Sequence, residues 1–141
     1  MENEKLSVIR KFVEEGFGNA DLYLIDQLMS DHCLEHQFGM KGGKEGLKKA
    51  VLSLSNAFTN RNYELINYSV NDPLVWVHYK ATGVHTGFFM GHEPTGKEFA
   101  IDVIDVVKVE AGQITEHWGV PDRFALMMQL GFLQPAPKPQ T

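Results

Sequence analysis

Between Gly83 and Gly131 the chain sets His85, Asp105, His117 and Asp122 among strand-like apolar runs. Imidazoles and carboxylates in such surroundings supply a small cavity with acid and base groups, without a metal or a covalent nucleophile. Asp105 is the carboxylate best placed by pattern alone. Alternation puts Phe99, Ile101, Val103, Val107 and Val109 on its side of one strand, so a single acid shares an otherwise apolar face. Such an acid needs a cation, hydrogen-bond donors or a proton to offset its desolvation. It reads either as a cavity acid that orients a neighbouring imidazole or as a buried carboxylate that ties strands together. Asp122 follows Pro121 at a strand-to-helix junction, where it can cap the next helix or overhang the open end of a curved sheet.

His36, His85 and His117 are candidate hydrogen-bond donors or proton shuttles, because an imidazole with its ordinary pKa near ~6.5 exchanges protons reversibly at neutral pH. Each also fits as a satisfied core or surface histidine. Trp76 and Trp118 offer flat surfaces for stacking on a ligand, and Phe89 and Met90 can wall the same pocket, although core packing is the commoner use of such side chains. Alternation within Gln113 to Gly119 places His117 and Trp118 on opposite faces. Without a bulge, only one of them looks inward.

The elements that must position these groups follow from periodicity. Leu6, Ile9, Val13 and Phe17 form one stripe of a first helix, ended by Gly16 and Gly18. Asp21 caps a short second helix through Leu22, Ile25 and Met29, and Asp31 to Gln37 reads as a strand edge. After a glycine-rich loop, Leu47, Val51, Leu54 and Phe58 predict a third helix ending near Asn60. Tyr63 to Val70, Val75 to Phe89, Phe99 to Val109 and Gln113 to Trp118 are β-branched and aromatic, with turn signals between them. A terminal helix through Phe124, Leu126, Met127 and Leu130 stops at Gly131. Long neighbouring strands with short connections pair antiparallel, and helices gathered at the front cover one face of a bent sheet. The class is α+β, and a curled sheet leaves a cavity.

A chain of 141 residues that is 43% hydrophobic makes one core and one internal pocket, read as a single domain over 1–134 with a Pro-rich tail over 135–141. A net charge of -5 with interspersed signs offers no basic face for a phosphate backbone, which argues against nucleic acid and for a small organic ligand. Cys33 is the single cysteine, so the composition suits a reducing interior and offers no zinc-thiolate site. With a charged amino-terminal segment and no membrane-length apolar run, the expectation is a cytoplasmic protein that does not bind membranes.

Three motifs fail on inspection. Gly91 to Lys97 matches the opening of a phosphate-binding loop, but Glu98 replaces the Ser/Thr that meets magnesium, and a strand follows where a helix is needed. His32 and His36 stand four apart without a nameable third metal ligand. Ser53, Ser55 and Ser69 lack any nucleophile-elbow context.

The run Gly83-Val-His-Thr-Gly-Phe-Phe-Met-Gly, then Pro94-Thr-Gly-Lys, Asp102-Val-Ile-Asp105, Glu116-His-Trp-Gly-Val-Pro-Asp122 and Gln129-Leu-Gly131 resembles the SnoaL-like polyketide cyclases, the ester cyclase branch of the NTF2-like superfamily. The resemblance covers about the last two thirds of the chain and extends forward through His36 and the helix after Gly43. It implies the cystatin-like cone: a curved antiparallel sheet, barrel-like, covered by amino-terminal helices around an internal cavity. The activity it implies is acid-base closure of a ring by intramolecular aldol addition on a small apolar carbonyl or polyketide-like compound, with no metal or cofactor. By the same resemblance Asp122 matches the general acid/base, supported by His85, His117 and Asp105, while His36, Trp76, Trp118, Phe89 and Met90 contact substrate. His78 departs from the family, which often has Arg in that strand. A non-catalytic binding protein, or an isomerase or epoxide hydrolase with two cooperating carboxylates, is the alternative on the same scaffold. A second copy is expected on the outward Ala100, Ile104 and Val106 side, giving a homodimer or higher homo-oligomer.

Overall fold

The computed structural model describes residues 2–134 and 136–140. Asn3 opens the first helix, α1 (Glu4–Lys11), by accepting hydrogen bonds from the Lys5 and Leu6 amides. Leu6 and Ile9 are buried along its inner stripe. The helix widens without a break into a π-helical segment, Phe12–Phe17, which carries Phe12 and Val13 inward. Asp21 caps α2 (Leu22–Leu28) through the Leu24 amide, and β1 (Met29–Glu35) follows at once.

Helix α3 (Gly43–Ala57) buries Leu47 and Val51 and passes directly into β2 (Phe58–Asn71). Phe58, expected as the last apolar step of that helix, is instead extended at φ -130 and ψ 137. Its ring packs edge-on against Phe89 and Phe99, so the residue points inward in either conformation and periodicity could not mark the boundary. Strand β3 (Leu74–His85) stops four residues before the expected Phe89. There the Thr86 and Gly87 amides both donate to Ala57 O, turning the chain across the end of α3. Only glycine fits that crossing, since a Cβ at position 87 would lie 2.0 Å from Asn56 O.

Strands β4 (Glu98–Glu110) and β5 (Gln113–Pro121) complete a five-stranded sheet of order β1-β5-β4-β3-β2. All neighbours are antiparallel except β1, which runs parallel to β5. The sheet curves but does not close, because β1 and β2 remain edges, and the barrel-like expectation gives way to an open cone. Helix α4 (Arg123–Gln129) folds back onto β4, where the Gln129 side chain pairs with both backbone groups of Ala100.

Two apolar clusters form under the sheet. One joins α1, the π-helical segment, α2 and α3 to Val75, Val77, Val107 and Val109. The other joins Ala57 and Phe58 to Ala81, Ile101, Leu126 and Leu130. The tail expected over 135–141 is exposed and without helix or strand at 136–140, while Pro135 and Thr141 lie outside the described residues. Among the described residues no helix is long and apolar enough to cross a membrane.

Candidate active site

Between the two clusters lies a cavity of ≈ 530 Å³, walled by Ile9, Phe12 and Val13 from the helical face and by Phe58, Ala81, Ile101 and Val103 from the sheet. The polar lining is sparse: Gln37, Ser53, Arg61, Tyr63, Thr82, Asp105, His117 and Arg123. An apolar chamber with a few convergent polar groups suits a small organic ligand.

Asp105 reaches it because β4 is unbroken through this stretch and pairs on both sides, opposite Val77 and Gly119. Strict alternation therefore keeps the carboxylate on the apolar face with Ile101 and Val107. His117 arrives from β5 on the same face, and its Nε2 lies 2.8 Å from Asp105 Oδ1. Its Nδ1 lies 2.5 Å from Glu35 Oε2, from the neighbouring parallel strand β1. Two carboxylates flanking one ring leave both nitrogens as donors. Burial alone would lower the imidazole's pKa, but the hydrogen bonds to Asp105 and Glu35, reinforced by their charge, push it up to about 9. At neutral pH the ring is an imidazolium between two carboxyl groups. Asp105 Oδ1 is committed to it, which leaves Oδ2 for a ligand.

Arg61 and Tyr63 face the chamber from β2. A bulge between Thr59 and Asn62, with Asn60 in the left-handed region at φ 53, shifts the phase of the strand. Phe58 points inward before the bulge, and Arg61, Tyr63 and Leu65 take the inner phase after it. The Arg61 guanidinium carbon stands 5.9 Å from the Tyr63 ring centre. Burial pushes the Tyr63 phenol up, against the pull of Arg61 and with a further push from Asp105.

Of the residues expected from sequence, Asp105, His117, Phe89 and Met90 line the cavity. The others stand elsewhere. Asp122 is exposed and serves as the N-cap of α4, its Oδ1 accepting from the Ala125 amide at 2.9 Å. The strand ends one residue earlier at Pro121, so the carboxylate turns toward the helix and not over the chamber. His85 is fully buried among Phe58, Phe89 and Phe132 but does not line the cavity. Its Nδ1 accepts from the Thr95 amide and pairs with Thr95 Oγ1, pinning the loop that carries Phe89 and Met90.

Trp118 takes the outer face, as alternation against His117 requires, and stacks on the His36 ring at 4.8 Å and 12°. His36 also pairs with Glu116 at 2.7 Å. Trp76 is 48% exposed on the same outer face. None of these three touches the chamber. Cys33 sits behind His117, and its thiol is pushed up to about 11, chiefly by burial and further by Glu35 and Glu116, which keeps it protonated and unreactive.

Glu35, Arg61, Tyr63 and Gln37 did not stand out in the sequence. Glu35 lay within the segment read as a strand edge, and its partner is 82 positions away in the chain.

Residues 7–130 match the family described as SnoaL-like polyketide cyclase. The chain is 28% identical over 141 residues to the aklanonic acid methyl ester cyclase DauD of Streptomyces sp. (strain C5), covering 96% of this chain and 86% of that one. It is also 28% identical to the aklanonic acid methyl ester cyclase DnrD of Streptomyces peucetius, covering 96% and 95%. The structure of TsrD from Streptomyces laurentii superposes with a TM-score of 0.83 at 19% identity, over 94% of this chain and 99% of that one, which shows the shared fold.

Proposed function

The chain belongs to the SnoaL-like polyketide cyclase family, and on that premise we propose that it closes a ring by acid-base catalysis on a small, mostly apolar carbonyl compound of polyketide type. The observation that carries this reading is the Glu35–His117–Asp105 chain of hydrogen bonds ending at the wall of an apolar cavity. Asp105, rather than the helix-capping Asp122, is the base. Its Oδ2 takes a proton from a carbon flanked by carbonyls, and the resulting enolate carbon attacks a carbonyl in the same molecule. A carbon–carbon bond forms, the carbonyl π pair becomes an alkoxide, and the proton held by Asp105 passes to that alkoxide. The base is regenerated and nothing else is consumed.

The substrate's carbonyls spread the negative charge, so the protein's share is to desolvate the base, fold the substrate and fix the geometry. His117 holds Oδ1 throughout, and Glu35 holds His117. The names of the related cyclases, which act on aklanonic acid methyl ester, support a substrate of the same broad class. A hydrolase or isomerase built on two cavity carboxylates is less favoured, because Asp122 faces away and Glu35 lies beyond His117.

Asp105→Asn tests the reading on a polyketide-type ester that cyclises measurably. Turnover should fall on the order of 100-fold or more while circular dichroism stays unchanged. Unaltered turnover would remove the assignment, and a change in affinity alone would indicate a binding protein. We further propose that a second copy of the chain covers the outer sheet face around Trp76, Ile104 and Val120, giving a homodimer in the cytoplasm.

A further inference from the structure

We propose that Arg61 is the anion-recognition residue of the cavity, so that the preferred ligand is an apolar molecule carrying one anionic oxygen group, a carboxylate or an ionised enol or phenol. The proposal rests on the cavity being the ligand site and names a feature of the ligand that the acid-base reading leaves open.

Arg61 Nη2 is buried and has no hydrogen-bond partner among the described residues. A guanidinium is always charged and presents five donors, so burying one of its nitrogens against apolar walls costs free energy unless an acceptor arrives. The sequence goes to some length to hold it there. Asn60 accepts a left-handed backbone, and the bulge shifts β2 out of its regular phase, with Arg61 and Tyr63 on the inner side. The Tyr63 ring beside the guanidinium limits its swing.

The charge balance of the chamber points the same way. Its charged lining is Arg61, Arg123, Asp105 and His117, and the His117 imidazolium is shared between the Asp105 carboxylate and that of Glu35 behind it. Arg61, Arg123 and His117 stand against the two carboxylates of Asp105 and Glu35, so the excess positive charge lies with the two arginines. A neutral apolar ligand would leave the buried guanidinium nitrogen without an acceptor. An anionic oxygen would receive a charge-assisted hydrogen bond in surroundings of low polarity.

The experiment compares probes of one shape and different charge by titration calorimetry at pH 7. Anthracene-2-carboxylate should bind the wild type at least about 10-fold more tightly than anthracene-2-carboxamide, on the scale of one charge-assisted hydrogen bond. Ionised and methylated forms of a 1,3-dicarbonyl of the same size separate an enolate from a carboxylate as the favoured anion. Arg61→Met should erase the preference, and Arg61→Lys should retain part of it. Equal binding of carboxylate and carboxamide by the wild type would overturn the proposal, as would a preference that survives Arg61→Met. The wild-type comparison decides even if the methionine variant fails to fold. Because the readout is affinity, Asp105→Asn should keep the preference, so failure of the catalytic reading is seen separately from failure of this one.

Discussion

Asp105 and Gly119 face each other across the β4–β5 ladder, and a Cβ at position 119 would lie 2.8 Å from Asp105 Oδ1. The same atom would lie 2.9 Å from His117 Cε1 and 2.1 Å from Gln37 Oε1. Gln37 is the free end of a flexible side chain and can step aside. Asp105 and His117 cannot do so without giving up the hydrogen bonds that fix them. The glycine in the Glu116-His-Trp-Gly run is therefore room for the carboxylate and its imidazole.

Gly119→Ala should displace Asp105 by a fraction of an ångström and leave the strand intact. Near-attack geometry is sensitive on that scale, so turnover should drop about 10- to 100-fold, with a smaller loss of melting temperature as the Asp105–His117 hydrogen bond is stretched. Parallel measurement of kcat and thermal unfolding checks it. Full activity in the alanine variant would show that the carboxylate's position does not limit the reaction.

His117 links this site to stability. Its folded pKa of about 9 stands above the ordinary imidazole value, so the protonated ring favours the folded state. That contribution is fully present below about pH 6.5 and is lost as pH rises through about 9, a span on the order of 3 kcal/mol. The melting temperature of the wild type should decline across that window, and that of His117→Asn should not. Glu35→Gln removes one of the two anions and should move the His117 titration, followed by its ring Cε1–H resonance, to lower pH. A titration unmoved by Glu35→Gln would mean that the short Glu35 contact carries no charge coupling.

What could be read from the residues alone depended on how regular each strand is. Asp105 lies in a strand without a bulge until Lys108, so alternation placed it correctly on the inner face. The opposition of His117 and Trp118 was legible for the same reason. Arg61 was not, because a bulge changes the phase of β2 within four residues and nothing but the Asn60-Arg61-Asn62 sequence hints at it. Glu35 was hidden by distance along the chain, since its role exists only through parallel pairing with β5. Asp122 shows the opposite case: the local reading, a helix cap, matches the geometry, while the resemblance to a family motif pointed to the chamber.

That difference can be measured. Asp122→Ala should cost about 1 kcal/mol by removing the α4 cap, whereas Asp122→Asn should restore the cap and the stability. Both should keep turnover within about a factor of 2 of wild type, well inside the range of a stability effect without chemistry. Loss of turnover in Asp122→Asn with unchanged stability would return the base to Asp122 and displace Asp105.

Trp76, Val106 and Trp118 stand in one row across β3, β4 and β5, and Ile104 faces Val120 in the next. Trp76 is 48% exposed and Val120 68%, so these side chains form a contiguous apolar area on a sheet whose other face is already covered by the helices. Two such faces related by a two-fold axis would bury the tryptophan rows against each other. Trp76→Glu places a carboxylate in the middle of that contact, where desolvation without a partner is costly. Sedimentation should show a dimer for the wild type and a monomer for the variant. The cavity lies on the opposite side of the sheet, so binding of a small ligand should survive the change. A wild type that sediments as a monomer at micromolar concentration, or a variant that remains dimeric, would assign these tryptophans to some other contact.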